Sequence, residues 1–354
     1  MADPNFNSPR FQWLISQIQT GGYAVVNNGT GTWTNTASQL QRFDEGSFTA
    51  ARSAPYTRFP VLTGTRSEVA GIRGRKNGPA WSIRGMPIIP SGAAGTAPDM
   101  AMFFQNIFGV AGTLVTSTSC TYGPFVDSGN FPLSLFYFNK SSTAFTQHYY
   151  WGCFVRQWQI NYNGPFITID LDGFFGWGVD SAGFTIQSTQ GGNAGLTTFP
   201  AVPSSPSVLG QPIAGFGNGY TCTVASQNVS LKTRVLSITG ETGWVPIQDV
   251  YGSAYPICAV GDSRRMAFQL QALDDDSSAL NTIKVDSDTD NTTYSMSVVA
   301  GTVAGSIMTA TLNNVQINEF NLTDQGAIMM CDIPTSYAHA TSVGALDDFT
   351  LAFT

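Results

Sequence analysis

Polar and apolar residues alternate one by one over much of the chain. In residues 157–163 and again in 167–172, every second residue is apolar and the residues between carry amides, hydroxyls or carboxylates. The intervening Asn163–Pro165 is typical of a tight turn, so the two runs form a hairpin. Similar runs occur at residues 229–235, 266–270, 312–318 and 349–353. A period of two places each side-chain type on one face of a strand, so the pattern predicts antiparallel sheets packed on one face only.

Three segments repeat their apolar residues at helical spacing instead. The first follows Ser8 and Pro9 and carries a stripe made of Phe11, Leu14, Ile15 and Ile18. The second runs from Thr96 to Gly109, with apolar residues on one face and a glycine at its end. The third follows the acidic residues 274–276, whose charges suit a helix N-terminus. The sequence therefore predicts three short helices.

Composition agrees with a β-rich protein. Charged residues make up only 11% of the 354 residues, whereas aromatic residues reach 12%. The chain also contains 37 glycines and 18 prolines, which favours short strands joined by many turns. A catalytic core with many ionisable side chains is therefore not expected. The predicted fold class is mainly β, with two tandem antiparallel β-sandwich or half-barrel units, each with a packed short helix.

The proposed division into units rests on residues 181–219. This segment is rich in Gly, Pro, Ser and Thr and has no periodic pattern, which is typical of a connecting loop. Each flanking half has its own alternating strands and its own predicted helix. We therefore predict one β domain with an N-terminal arm at residues 1–180 and a second β domain at 220–354.

Charge differs between the two halves. Residues 1–177 carry 11 Lys or Arg and 8 Asp or Glu, whereas residues 178–354 carry 5 and 15. The acidic balance argues against a protein that grips nucleic acid, which needs clustered cations. Seven of the 16 cations lie between Arg52 and Arg84, in a Gly-rich stretch. This stretch fits a subunit contact, a solvated loop or a nucleic-acid contact.

Few residues suggest reactive chemistry. The five cysteines are scattered, which favours buried reduced thiols over a metal site. Asp170 and Asp172 have the strand spacing that a glycosidase pair could use, as does any polar strand face. Asp286, Asp288 and Asp290 match positions 1, 3 and 5 of a calcium loop, but the later glycine and glutamate are missing. An exposed acidic turn or an irregular ion site both remain open, and we expect no enzyme activity, cofactor or catalytic residue.

Two stretches carry a resemblance to a known family. Residues 79–84, followed by the small-residue loop 90–99 and the apolar helix ending at Gly109, resemble the tail tube proteins of long-tailed bacteriophages. In that family a strand leads through such a loop into a helix beside the sheet. Residues 235–240 and 263–280, with the closing strands 312–318 and 345–353, are similar to the same strand-then-helix segment and to the last strand pair.

The resemblance implies a role in the virion. Tail tube proteins form stacked rings with sixfold symmetry, so two tube-like units in one chain imply homotrimeric rings. The expected partners are other copies of the chain, other tail proteins, and DNA that passes through the lumen without specific binding. We expect no membrane association, because no run of 18 apolar residues occurs, and synthesis in the host cytoplasm, because residues 1–9 lack a secretion signal.

Candidate functional residues follow from the alternation together with the resemblance. Residues that alternate with apolar partners must point into water, and the resemblance places them inside the tube. The predicted lumen-lining residues are Gln157, Gln159, Asn161, Asp170, Asp172, Gln316, Asn318 and Glu319. The N-terminal arm 1–22, the basic loop 66–77 and the loop 181–219 are the predicted ring-stacking segments. Their named contact residues are Phe11, Leu14, Ile15, Ile18, Arg73, Arg75 and Lys76.

The sequence leaves two alternatives to a tube protein open. The aromatic residues and Asp pairs also fit a carbohydrate-binding or glycoside-cleaving β-sandwich, which would be a small oligomer in solution. Another tail ring protein, such as a terminator or baseplate component, fits the sequence as well as the tube itself.

Overall fold

The chain folds into antiparallel strands with a single well-bounded helix among the residues that the structure describes. The computed structural model describes residues 8–20, 34–35, 39–41, 47–53, 56–58, 71–73, 77–126, 131–140, 145–182, 189–190, 193–194, 212–215, 220–230, 233–247, 258–274, 280–281, 283–284, 292–324, 326 and 328–354. The protein is therefore mainly β, as the alternation predicts.

The elements of the first half are the strands β1 to β15 and the helix α1. Their bounds are β1 Ser8–Thr20, β2 Thr34–Asn35, β3 Gln39–Gln41, β4 Phe48–Ser53, β5 Tyr56–Arg58, β6 Gly71–Arg73, β7 Asn77–Pro87, α1 Ala101–Phe108, β8 Thr113–Val115, β9 Ser119–Tyr122, β10 Leu133–Lys140, β11 Phe145–Asn161, β12 Thr168–Phe174, β13 Trp177–Ala182, β14 Thr189–Gln190 and β15 Asn193–Ala194.

The elements of the second half are strands β16 to β26. Their bounds are β16 Thr221–Val224, β17 Gln227–Asn228, β18 Thr233–Glu241, β19 Trp244–Ile247, β20 Cys258–Gly261, β21 Arg265–Leu273, β22 Tyr294–Ala300, β23 Met308–Val315, β24 Asn321–Asp324, β25 Met329–Ala338 and β26 Phe349–Phe353.

Eight strands form one continuous antiparallel path, which we call the eight-strand sheet. Its order is β4-β7-β12-β11-β18-β21-β25-β24. The first four strands come from the first half of the chain and the last four from the second half. Within each group of four, the spatial order by position along the chain is first, second, fourth, third. The same strand order thus occurs twice, side by side, in one sheet.

A second sheet packs against the eight-strand sheet. Its order is β17-β16-β22-β23-β26-β9-β8, so it also contains strands from both halves. The large aromatic residues Phe104, Phe108, Trp158 and Phe349 meet between the layers, with Phe108 stacked on Phe349 at 5.7 Å and Trp158 at 5.2 Å from Phe349. The N-terminal part of β11 leaves this region and pairs with β10 and β13, and β10 pairs with β1.

The two halves share both sheets and one buried apolar cluster in the residues described. The proposed connecting segment 181–219 lies mostly outside those residues, so the domain boundaries stay a prediction. The order of four strands is repeated within the eight-strand sheet, and the arrangement in two tandem units stays a prediction.

The predicted N-terminal helix is wrong, because residues 8–20 form strand β1. Leu14, Ile15 and Ile18 lie opposite Tyr137, Phe136 and Leu133 of β10 in an antiparallel ladder. The spacing of the apolar residues suits a helix. However, Phe11, Trp13 and Ile15 are also spaced two residues apart, which is the period of a strand. Pairing with β10 on one side and β3 on the other provides backbone partners that local periodicity cannot reveal.

The second predicted helix is confirmed, although it begins five residues later than expected. Helix α1 starts at Ala101. Met100 occupies the N-cap position before it and makes no side-chain capping hydrogen bond. The helix ends where the sequence indicates, because Gly109 adopts a left-handed conformation with φ 68° and its N–H bonds to Gln105 O. The third predicted helix falls largely outside the described residues, and positions 280, 281, 283 and 284 are helical.

Two tryptophans cover glycines on neighbouring strands, and both pairs face the core. Trp81 of β7 lies opposite Gly173 of β12, and Trp158 of β11 lies opposite Gly240 of β18. Both indoles are almost fully buried. A Cβ atom at Gly173 would overlap the carbonyl oxygen of Phe154 and lie 2.5 Å from the Trp81 ring. The glycines are therefore required by the close approach of the rings.

We predict that Gly173→Ala destabilises the fold by about 1–3 kcal/mol, because the added methyl group overpacks against backbone and a buried ring. The matched control is Gly261→Ala, where a Cβ would meet nothing within 4 Å. The free energy of unfolding from denaturant titration measures both effects. Equal stability of the two variants would contradict the tight Trp81–Gly173 packing.

Candidate functional site: a polar face on the eight-strand sheet

Five of the predicted lumen-lining residues lie on one face of two neighbouring strands. Gln157 and Gln159 of β11 stand opposite Asp172 and Asp170 of β12, and Asn161 stands opposite Thr168. All five are exposed or half-buried, whereas the intervening residues of both strands are buried in the core. Because directly opposed residues share a face, these side chains form one polar patch.

The register extends this patch across the eight-strand sheet in two rows. The first row contains Thr49, Ser82, Asp172, Gln157, Glu241 and Arg265. The second row contains Asp170, Gln159, Thr239, Ala267, Tyr337 and Gln316. We call this surface the polar face. It includes residues from both halves of the chain.

The second-half predictions meet the polar face at its edge. Gln316 forms an isolated bridge with Tyr337 and so lies at the end of the second row. Asn318 and Glu319 are exposed in the segment that leads into β24, where Asn321 donates from Nδ2 to Glu319 Oε1 at 2.8 Å. The structure therefore brings Gln316 onto the same face as Gln159, and places Asn318 and Glu319 beside the outer strand.

Asp170 has a structural partner that its sequence does not reveal. Its Oδ1 accepts the N–H of Gly85 at 2.6 Å, and its Oδ2 accepts a hydrogen bond from Asn161 at 3.2 Å. The register between β7 and β12 shifts at this point, and Gly85 has φ 64°. The carboxylate thus holds the backbone of an irregular strand, at a position where the left-handed conformation favours glycine.

Arginines that the sequence analysis did not select also lie on the polar face. Arg84 Nη2 donates to Asp172 Oδ1 at 2.7 Å, and Arg265 stands opposite Glu241. Both arginines alternate with buried residues, so the same period of two would have found them. The polar face therefore combines amides and hydroxyls with charges of both signs, instead of carboxylates alone.

The predicted ring-stacking residues that the structure describes lie on two different strands, β1 and β6. Phe11, Leu14, Ile15 and Ile18 belong to β1, so the proposed amphipathic helix does not exist as a docking element. Arg73 lies in the short strand β6, paired with Tyr56 of β5. Arg75 and Lys76 lie outside the described residues, as does most of the loop 181–219.

The hairpin β19–β20 exposes apolar side chains that the sequence analysis missed. Val245 stands opposite Val260, and Ile247 opposite Cys258, so these four residues share a face. Val245, Val260 and Ile247 are exposed. Two-stranded ribbons are marginally stable alone, so an exposed apolar face of this kind suits contact with another molecule.

The cysteines are thiols with no catalytic environment in the part of the chain described. Cys120, Cys153, Cys222 and Cys331 are free and buried. Burial raises the pKa of both Cys222 and Cys331 to about 12, so these thiols stay protonated at neutral pH. No cluster of three potential metal ligands occurs among the described residues, and Asp286, Asp288 and Asp290 lie outside them.

No protein-family model matches the chain, and a search of curated proteins finds no match either. None of the helices in the described part of the chain is both long and apolar enough to span a membrane.

The two neighbouring aspartates should differ in their effect on stability. Asp170→Ala leaves the Gly85 amide without its carboxylate partner, so we expect a loss of about 1–3 kcal/mol. Asp172→Ala removes an ion pair whose arginine side chain is 56% exposed, so we expect a loss below about 1 kcal/mol. Denaturant titration of both variants tests the difference, and an equal loss would contradict the structural role of Asp170.

Proposed function

We propose that the protein is a structural virion protein that assembles as stacked rings into a phage tail tube, a conduit for DNA. The observation that carries this proposal is the eight-strand sheet, which has one polar face and a strand order repeated side by side. The proposed partners are other copies of the chain, other tail proteins and DNA in transit. Its place of action would be the virion tail, and the role requires no catalytic residue or cofactor.

The ends of the eight-strand sheet support assembly side by side. β4 and β24 are its outer strands, and among the described residues neither pairs with a further strand on its outer side. Strand edges carry unpaired backbone groups that are readily matched by another chain. Joining β24 of one copy to β4 of the next would continue the antiparallel sheet around a ring. This contact is heterologous, so it must close by rotation.

The repeated strand order supports three copies in each ring. Each copy contributes two four-strand groups with the same order. Three copies around a threefold axis would therefore supply six equivalent groups, which reconciles the sixfold rings of the tail tube family with a chain of this length. A ring of six chains would instead contain twice that number of groups.

The chemistry of the polar face supports its position inside the ring. DNA slides past a wall that offers few unpaired cations, because phosphate contacts that release counterions would retain it. Gln157, Gln159 and Asn161 are neutral, and Arg84 is held by Asp172. Arg265, the other arginine named on the polar face, stands opposite Glu241. The wall would thus present polar groups, with each of these two arginines beside a carboxylate.

The hairpin β19–β20 is the proposed contact along the tube axis. It replaces the N-terminal stripe, which forms strand β1, as the exposed apolar element best suited to reach a neighbouring ring. The basic loop 66–77 and the loop 181–219 stay candidates for the same role.

The glycoside-cleaving alternative receives little support from the geometry. Asp172 is bound to Arg84, and Asp170 accepts from a backbone amide and an asparagine. Both carboxylates have structural partners, whereas a glycosidase needs one of the pair as a protonated acid. A terminator or baseplate protein would also assemble as a ring. Electron microscopy of particles distinguishes such a ring from the tube.

Blocking the outer strand should prevent ring formation. We predict that Leu322→Lys with Thr323→Lys in β24 leaves a folded chain that no longer assembles, because edge lysines oppose strand addition. The control is Val343→Lys at a fully exposed loop position. Sedimentation velocity and negative-stain microscopy measure assembly. Normal rings from the double variant, or a stable monomer of the unmodified chain at high concentration, would contradict the proposal.

Cations on the polar face should retard DNA. We predict that Gln157→Lys, Gln159→Lys and Asn318→Lys together permit assembly but slow DNA release from particles, because phosphates would gain retaining contacts. The control carries the same three charges at the exposed positions Leu114, Val303 and Val343. Release is followed with a DNA-binding dye. An equal rate in both variants would place the polar face outside the conduit.

A further inference from the structure

A cavity of about 420 Å³ opens beside the C-terminal end of α1, under the base of the hairpin β19–β20. Its volume lies within the range of about 300–1,000 Å³ that is typical of small-molecule sites. The walls come from elements far apart in the chain. The lining includes Phe108, Phe125, Thr242, Trp244, Asp262 and Arg264.

Arg264 in the wall of this cavity belongs to an ion pair that is largely buried. Arg264 Nη2 donates to Asp348 Oδ1 at 3.1 Å, and only 14% and 9% of the two side chains are exposed. The guanidinium carbon of Arg264 also lies 3.9 Å from the centroid of the Phe125 ring. The carboxylate and the ring fix the plane of the guanidinium, so its position in the wall is set before any ligand arrives.

The rest of the cavity wall contains both aromatic and polar side chains. Phe108 stacks on Phe125 at 4.6 Å, and Trp244, which is half-buried, packs 5.0 Å from Phe154. Thr242 donates from Oγ1 to Val155 O at 2.6 Å, which holds the start of the hairpin against β11. Asp262 and Ser263 are exposed at the rim, and the Asp262 N–H bonds to Gly243 O at 2.7 Å. The base of the hairpin is therefore closed by backbone hydrogen bonds.

The charges of the cavity favour an uncharged ligand. Arg264 lines the cavity and its partner Asp348 does not, so the ion pair turns its guanidinium end toward a ligand. An anion would face Asp262 and the C-terminal end of α1, where the helix dipole is negative. A cation would face the guanidinium of Arg264. A neutral molecule meets neither repulsion.

The combination of aromatic faces with donors and acceptors selects the ligand class further. We propose that this cavity binds a neutral saccharide of two or three sugar units. The apolar C–H face of a sugar ring would stack on Trp244, and its hydroxyls would donate to Asp262 and accept from Arg264. This site is distinct from the polar face and does not depend on the proposed tube function.

The proposal is tested with three neutral trisaccharides, maltotriose, cellotriose and triacetylchitotriose, added to the full chain. Saturation-transfer NMR detects contact, and calorimetry measures dissociation constants up to about 10 mM. We expect at least one trisaccharide to bind. Trp244→Ala and Asp262→Ala should each weaken that binding at least about tenfold.

Two matched controls keep the result interpretable. Val245→Ala lies on the opposite face of the same strand as Trp244, and Asp324→Ala removes an exposed carboxylate from β24. Both should bind as the unmodified chain does. Absence of binding by all three trisaccharides overturns the proposal, as does binding that neither cavity variant changes. Loss of rings in Trp244→Ala without any saccharide binding would assign the cavity to a subunit contact instead, whereas failure of the tube proposal appears separately in the β24 variants.

Discussion

The antiparallel pairing of β11 with β18 is the constraint on which the rest of the fold depends. Residues 157–161 of β11 pair with β12 on one side and with β18 on the other. A buried strand needs partners for its backbone groups on both edges, and here the second partner comes from the other half of the chain. Removing β18 would expose an edge in the middle of the sheet. The two halves are thereby joined into one eight-strand sheet.

This pairing also fixes which side chains share a face. Trp158 covers Gly240 across the β11–β18 junction on the core side, while Gln157 stands opposite Glu241 on the polar side. A shift of the register by one residue would bring Trp158 to the polar side and a charged residue into the core. Packing of the indole on glycine and the continuity of the polar face are therefore two consequences of one register.

Three surfaces of the molecule are each compatible with assembly of identical chains. They are the polar face, the outer strands of the eight-strand sheet and the hairpin β19–β20. The sheet is covered by the core on one side and by polar groups on the other, and its outer strands β4 and β24 are the places where a further chain can extend it. The hairpin follows β18 and exposes two valines and an isoleucine. Assembly of identical chains would satisfy both kinds of surface, since backbone edges and apolar ribbons are each stabilised by a partner.

The sequence by itself determined the strand class, the hairpin of β11 and β12, the end of α1 at Gly109 and the polar side of residues 157–172, because alternation and glycine conformations are local properties. Only the tertiary structure decided that Leu14 and Ile18 lie in a strand, because their partner β10 is more than 100 residues away. The same holds for the Asp170–Gly85 bond and for the placement of Gln316 beside Tyr337. Long-range pairing, which short-range periodicity does not encode, chose between the conformations that each segment allows.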